Sequence, residues 1–226
     1  MGQATERLLD TAGMLDDAAL GGASLCAGWT RGHVLTHLAR NADSLVNLLI
    51  WAHTGIETPQ YASTFVRDAD IAEGAPRPLA EQVDDLTAAA RRFHGLAQTL
   101  DAAAWAATVR NRRGDDVSAS FVPWMRLREV EIHHVDLAAG YTHKDWPDTF
   151  VDRLLPEVAT DFAGKDFPAV RIIAADKDFQ ATVGSGAPAV TVSGTAGAII
   201  AWLIGRAHGD DLDVSGGALP APAAWK

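Results

Sequence analysis

Between residues 5 and 140 the apolar side chains recur at three- and four-residue spacing in four separate segments, a periodicity that confines this part of the chain to a helical bundle. The first segment covers about residues 5–20, with Leu8, Leu9, Ala12 and Leu15 on one side and Gly21-Gly22 as its stop. The second opens at Thr30, a residue type that caps helix N-termini, with Trp29 in the position of a hydrophobic staple. It continues through Val34, Leu38, Leu45 and Leu49 to Thr54-Gly55. The third covers about residues 79–100, where Val83, Leu86, Ala90, Phe93, Ala97 and Leu100 form one stripe. The fourth starts near Pro123, favoured in a first helical turn, and ends at Gly140. One amphipathic helix cannot bury its stripe alone, and four of this length make a four-helix bundle. The intervening residues 57–78 and 101–122 are rich in Pro, Gly and polar groups and read as long loops over one end of the bundle.

The pattern changes beyond residue 145. A further helix over about 150–163 precedes β-like runs at 170–173, 179–183 and 190–192, a helix over 195–207 and a short strand at 212–214. The expected fold is α+β and mainly α, with a four-helix bundle over 1–145 and a small α+β domain over 146–226.

Composition narrows the function. Asp and Glu number 29 against 19 Lys and Arg, a formal net charge of −10, which repels nucleic acid backbones and anionic membrane surfaces alike. Cys26 is the only cysteine, so an intramolecular disulfide and a Cys-rich zinc site are both excluded, and His and carboxylate remain as metal ligands. The first residues lead into an amphipathic segment with no apolar signal region, and no apolar run is long enough for a bilayer. A cytoplasmic protein acting on small molecules is the expectation.

The densest chemistry lies in the fourth segment, from Arg128 to Leu137. Glu129 and His133 are four residues apart and project from one helical face, so that a carboxylate and an imidazole can share a metal. Glu131 and His134 form a competing Glu-x-x-His unit of the di-iron type, but such sites need a second copy and none of the other bundle segments supplies one. A mononuclear site would take its third ligand from the second segment, which offers His33 and His37 one turn apart, with Asn41 continuing the row. Two histidines and one carboxylate with an open position match catalytic zinc or a facial-triad iron, and zinc suits a thiolate partner. Spacing leaves plainer readings open. A Glu-x-x-x-His pair is commonly a solvated ion pair, and a bundle histidine is commonly just hydrogen-bonded. Asp136 is a solvated carboxylate or an acceptor behind His133, and Cys26 is a small buried filler. Arg206, near the end of the last helix, either complements the helix dipole or grips a carboxylate.

Several separate blocks resemble one family. They are Gly28-Trp29-Thr30-Arg31 followed by His37 and residues 41–49, residues 51–59, Trp124-Met125-Arg126-Leu127-Arg128-Glu129 with Ile132-His133 and Val135-Asp136-Leu137, and finally Val192-Ser193-Gly194 and Gly205-Arg206. Together they resemble the mycothiol-dependent maleylpyruvate isomerases, within the DinB-like thiol-dependent metalloenzymes. The resemblance implies a DinB-like four-helix bundle and a C-terminal domain similar to sterol carrier proteins. It implies one zinc per chain, held by His37, Glu129 and His133, and a catalytic Arg206 reaching into the cleft from the second domain. It further implies mycothiol as the thiol cofactor and maleylpyruvate as the substrate, isomerised to fumarylpyruvate in gentisate degradation. In that chemistry a thiolate adds to the alkene, the new single bond rotates, and the thiolate leaves; Arg206 would hold a carboxylate or the developing enolate. The same group includes zinc- and mycothiol-dependent S-transferases, the alternative activity. The sequence leaves the oligomeric state open, a monomer included.

Overall fold

The computed structural model describes residues 2–225, which form two compact units that divide between residues 141 and 142. The fold is α+β and mainly helical, as the periodicity predicts.

In the first unit the elements are α1 (Gly2–Gly13), α2 (Asp17–Leu20), α3 (Arg31–Thr54), α4 (Thr64–Gly74), α5 (Leu79–Thr99), α6 (Ala102–Ala106), β1 (Thr108–Arg110), β2 (Asp116–Ser118) and α7 (Val122–Asp136). Helix α3 is the hub: it packs on α4, α5 and α7, and α1 closes the bundle against α5 and α7. Its leucines Leu35, Leu38, Leu45, Leu48 and Leu49 are fully buried, each worth about 2 kcal/mol relative to exposure. Both ends of α3 are written into the sequence. Thr30 caps it in a reciprocal box with His33, whose ring stands where Glu or Gln usually does, and Gly55 at φ 72° closes the other end.

Four expectations are corrected. The first segment breaks after Gly13, a poor helix former, and restarts at Asp17, where Asp16 accepts a hydrogen bond from the Ala19 amide at 2.7 Å. Residues 57–78 are not a plain loop, because Ser63 caps α4 within them. Only Ile71 and Gly74 of α4 are buried, so it leaves no apolar stripe to read. Residues 101–122 likewise hold α6 and the β1–β2 hairpin, whose turn is fixed by Asn111 Oδ1 accepting from the Arg113 and Asp115 amides. The fourth helix ends at Asp136 rather than Gly140.

The second unit contains α8 (Asp148–Phe162), β3 (Ala163–Ala174), β4 (Phe179–Gly194), α9 (Ala196–Leu203) and β5 (Asp213–Ser215). The expected runs at 179–183 and 190–192 are the two halves of β4. They flank β3 on both sides, so Val170 lies opposite Val183 and also Val190. The chain reverses between them at Gly184, φ 82°, where an added Cβ would meet the Phe167 and Pro168 carbonyl oxygens at 2.8 Å. Helix α9 is buried along its length and stops at Leu203, short of the expected 207. Gly205, φ 76°, ends it in a Schellman turn: its amide donates to Trp202 O (3.1 Å) and that of Arg206 to Ala201 O (2.7 Å). Arg206 therefore belongs to the turn beyond the helix.

Candidate metal centre

The hub helix and α7 bring three of the expected side chains to one point. His37, buried on α3, places Nε2 2.9 Å from Glu129 Oε2 and 3.1 Å from His133 Nε2. His133 Nε2 is 3.3 Å from the same Glu129 oxygen, so the three atoms form a nearly equilateral triangle. Glu129 and His133 reach it from one face of α7, as their spacing requires. His33 is diverted to the cap of α3, and its ring nitrogen bonds Thr30. Asn41 accepts from the buried Arg126 guanidinium (2.9 Å) instead of extending the cluster.

The triangle fits a tetrahedral cation. Bonds of about 2.0–2.1 Å to each ligand atom imply separations of about 3.4 Å between ligand atoms, close to those found. Two imidazole nitrogens and one carboxylate oxygen are also a donor set that suits a divalent cation. The titration behaviour reflects this crowding. Burial pushes His37 down to about 4, with the neighbouring His133 and Arg67 adding to the effect against the pull of Glu129. Burial alone would raise Glu129, but hydrogen bonds from His133 and His37 hold it well below the usual carboxylate range. His133 is likewise opposed by burial, yet hydrogen bonds to Asp136, Cys26 and Glu129 raise it well above an ordinary histidine.

Behind His133 stands a layer that the sequence only hinted at. Asp136, fully buried, accepts from His133 Nδ1 at 2.8 Å and from the Cys26 thiol at 3.1 Å. That bond puts the imidazole proton on Nδ1 and turns the Nε2 lone pair toward Glu129 and His37. Cys26, His133 and Asp136 are also close enough to hold a cation themselves; their donor–acceptor pairing makes them the support of His133. The loop carrying Cys26 is sewn to the end of α7, since the Leu25 amide donates to Asp136 O (2.9 Å) and Arg31 Nε donates to Leu137 O (2.7 Å). Trp29 from the same loop packs against His37, ring centroids 5.4 Å apart. Exposure is graded across the triangle: the side chains of His37, His133 and Glu129 are 5, 16 and 34% exposed, so the open side is that of Glu129.

The rival pair is engaged elsewhere. Glu131 accepts from Arg7 Nη2 (2.7 Å) and the Tyr141 hydroxyl (2.5 Å), while His134 bonds Thr11 and stacks on Tyr141. In the second unit the half-buried Arg206 donates through Nη1 to Ile204 O at 2.8 Å.

Residues 1–138 match the family described as the mycothiol maleylpyruvate isomerase N-terminal domain, and residues 145–224 match the corresponding C-terminal domain. The chain is similar to a crystal structure of the mycothiol-dependent maleylpyruvate isomerase, with 31% identity and a TM-score of 0.93 over 99% of this chain and 93% of that one. A structure of a histidine-to-alanine mutant of that enzyme gives the same values. No curated protein matches the chain.

Proposed function

The chain belongs to the mycothiol maleylpyruvate isomerase family, and from that premise we propose that it isomerises maleylpyruvate to fumarylpyruvate in gentisate degradation. It uses mycothiol and one zinc ion held by His37, Glu129 and His133. The observation that carries this reading is the triangle of ligand atoms 2.9–3.3 Å apart, in a chain that matches the family through both units.

Bound together, zinc and mycothiol supply a thiolate at neutral pH, whose reversible addition to the alkene lets a fixed double bond rotate. The protein's part is to hold and orient. Asp136 keeps the proton of His133 on Nδ1, which leaves Nε2 free to ligate, and Cys26 donates to the same Asp136 oxygen and helps to fix it. His37, driven neutral by burial, offers a lone pair without first losing a proton. Trp29 covers one side of His37, and the exposed edge at Glu129 is the way in for thiol and substrate. Negative charge develops on the ketone oxygen conjugated with the alkene, and a cation there lowers the barrier. Arg206 takes that role or holds a substrate carboxylate; its backbone is fixed by the Schellman turn, and the Gly205-Arg206 pair is part of the family resemblance.

No helix among the described residues is long and apolar enough to cross a membrane. With Cys26 as the only thiol and a net charge of −10, the reading is of a cytoplasmic enzyme for small molecules. The test is to follow maleylpyruvate loss by the zinc-loaded protein with and without mycothiol. Thiol-dependent formation of fumarylpyruvate, with the thiol recovered unchanged, is expected. A stable thiol conjugate would make the protein an S-transferase, and the absence of thiol-dependent turnover would remove the reading.

A further inference from the structure

Arg67 on α4 stands beside the metal cluster and is unused by the chemistry above. Its Nη2 lies 3.4 Å from His37 Nδ1, and its guanidinium carbon lies 5.9 Å from the ring centroids of both Trp29 and Tyr61. The side chain is only 15% exposed. Its one ion-pair partner among the described residues is Asp68, 2.6 Å from Nη1, and that carboxylate is 59% exposed and well hydrated.

The two ligand histidines differ in what faces their second nitrogen. An imidazole that ligates through Nε2 carries its proton on Nδ1 and needs an acceptor there. His133 has one in Asp136. For His37 the group at that position is a guanidinium, which cannot accept. With Nε2 ligating, His37 Nδ1–H and Arg67 Nη2–H become two donors 3.4 Å apart, and neither has its acceptor in the other. A carboxylate oxygen satisfies both, and its charge is matched by the half-hidden cation. The fork of an arginine suits carboxylate geometry, and the flanking rings hold that fork in place.

We infer that Arg67, together with the Nδ1–H of His37, anchors a carboxylate of the substrate. The inference rests on the isomerase reading for the substrate's identity, since maleylpyruvate carries a carboxylate at each end. It gives α4 a function that its few buried residues do not require.

The experiment measures maleate binding by calorimetry to the zinc-loaded, thiol-free protein, for the native chain, Arg67→Gln and Arg67→Lys. Zinc content and Tm are recorded in parallel. Native protein is expected to bind maleate, Arg67→Gln about 10- to 100-fold more weakly, and Arg67→Lys in between, all with full zinc content. With maleylpyruvate and mycothiol, KM should rise more than kcat falls in Arg67→Gln. Maleate affinity that is absent in the native protein or unchanged in Arg67→Gln overturns the inference. So does a loss of maleate binding that accompanies a loss of zinc, because Arg67 would then support His37 and not the ligand. Arg67-dependent maleate binding without thiol-dependent turnover would remove the isomerase reading and leave the carboxylate anchor standing.

Discussion

Helix α7 carries two carboxylate–imidazole pairs built from the same residue types, Glu129 with His133 and Glu131 with His134, and the fold gives them opposite tasks. Around Glu131 the neighbours are donors: a guanidinium and a phenol take its two oxygens, while Thr11 and the Tyr141 ring hold His134. That pair is a rivet between α7, α1 and the start of the following turn. Around Glu129 the neighbours are the imidazoles of His37 and His133, and the two ring nitrogens and the carboxylate oxygen converge within 2.9–3.3 Å of one another. Residue type and spacing do not separate the two pairs. The groups that the facing elements set against each of them do.

The largest effect should follow from cutting the two faces separately. Glu129→Gln removes the charge and one ligand atom of the triangle, and activity should fall roughly 10^3-fold with loss of bound zinc by metal analysis. Tm of the metal-free protein should change little, since Glu129 is a third exposed. Glu131→Gln should do the reverse. It leaves zinc content intact and destabilises the bundle by about 2 kcal/mol, less than a fully buried pair would cost, because Arg7 is 39% exposed. Zinc loss in Glu131→Gln, seen by the same analysis, would break the comparison outright.

A subtler cut leaves all three ligands in place. Asp136→Asn keeps the shape behind His133 but replaces a charged acceptor with an amide that can present either group to Nδ1. Zinc affinity, measured by competition with a chelator, should drop about 10- to 100-fold. If the affinity stays unchanged, the buried carboxylate is a packing feature and the face of α7 that matters ends at His133.

What the sequence disclosed followed from local signals. The stripes on α3, α5 and α7, the Thr30 cap and the Gly55 stop are all short-range, and so is the one-turn spacing of Glu129 and His133. A local signal could also have separated His33 from His37, because Thr30 and His33 occupy the two ends of a capping box. The groups around the triangle were hidden for a different reason. Arg67 sits on a mostly exposed helix with no stripe, inside a Pro-rich segment that reads as loop, and Tyr61 precedes it in the same segment. Cys26 looks like filler because its partner, Asp136, is 110 residues away and is brought to it by a loop sewn to the end of α7. Such encounters depend on the packing of whole elements, and no window of sequence contains them.

The smallest effect concerns protons, and it tests whether the triangle behaves as one unit. Burial sets His37 near 4, so above that value it is neutral and ready to ligate. His133 is raised well above 6.5 against the opposing effect of burial, and Glu129, equally opposed, stays ionised well below 4.5. The metal-free cluster at pH 5–7 therefore holds one proton more than two neutral imidazoles would, on His133, and a cation must displace it. Apparent zinc affinity should rise by about tenfold per pH unit over that range and level off above the raised value of His133. In Asp136→Asn the support for the charged imidazole is weakened, so the levelling should begin at lower pH. Glu131→Gln, which touches none of these groups, should leave the slope as it is. A slope of two protons per zinc near neutrality would mean that both imidazoles start charged, and the burial that sets His37 apart from His133 would then not govern the triangle.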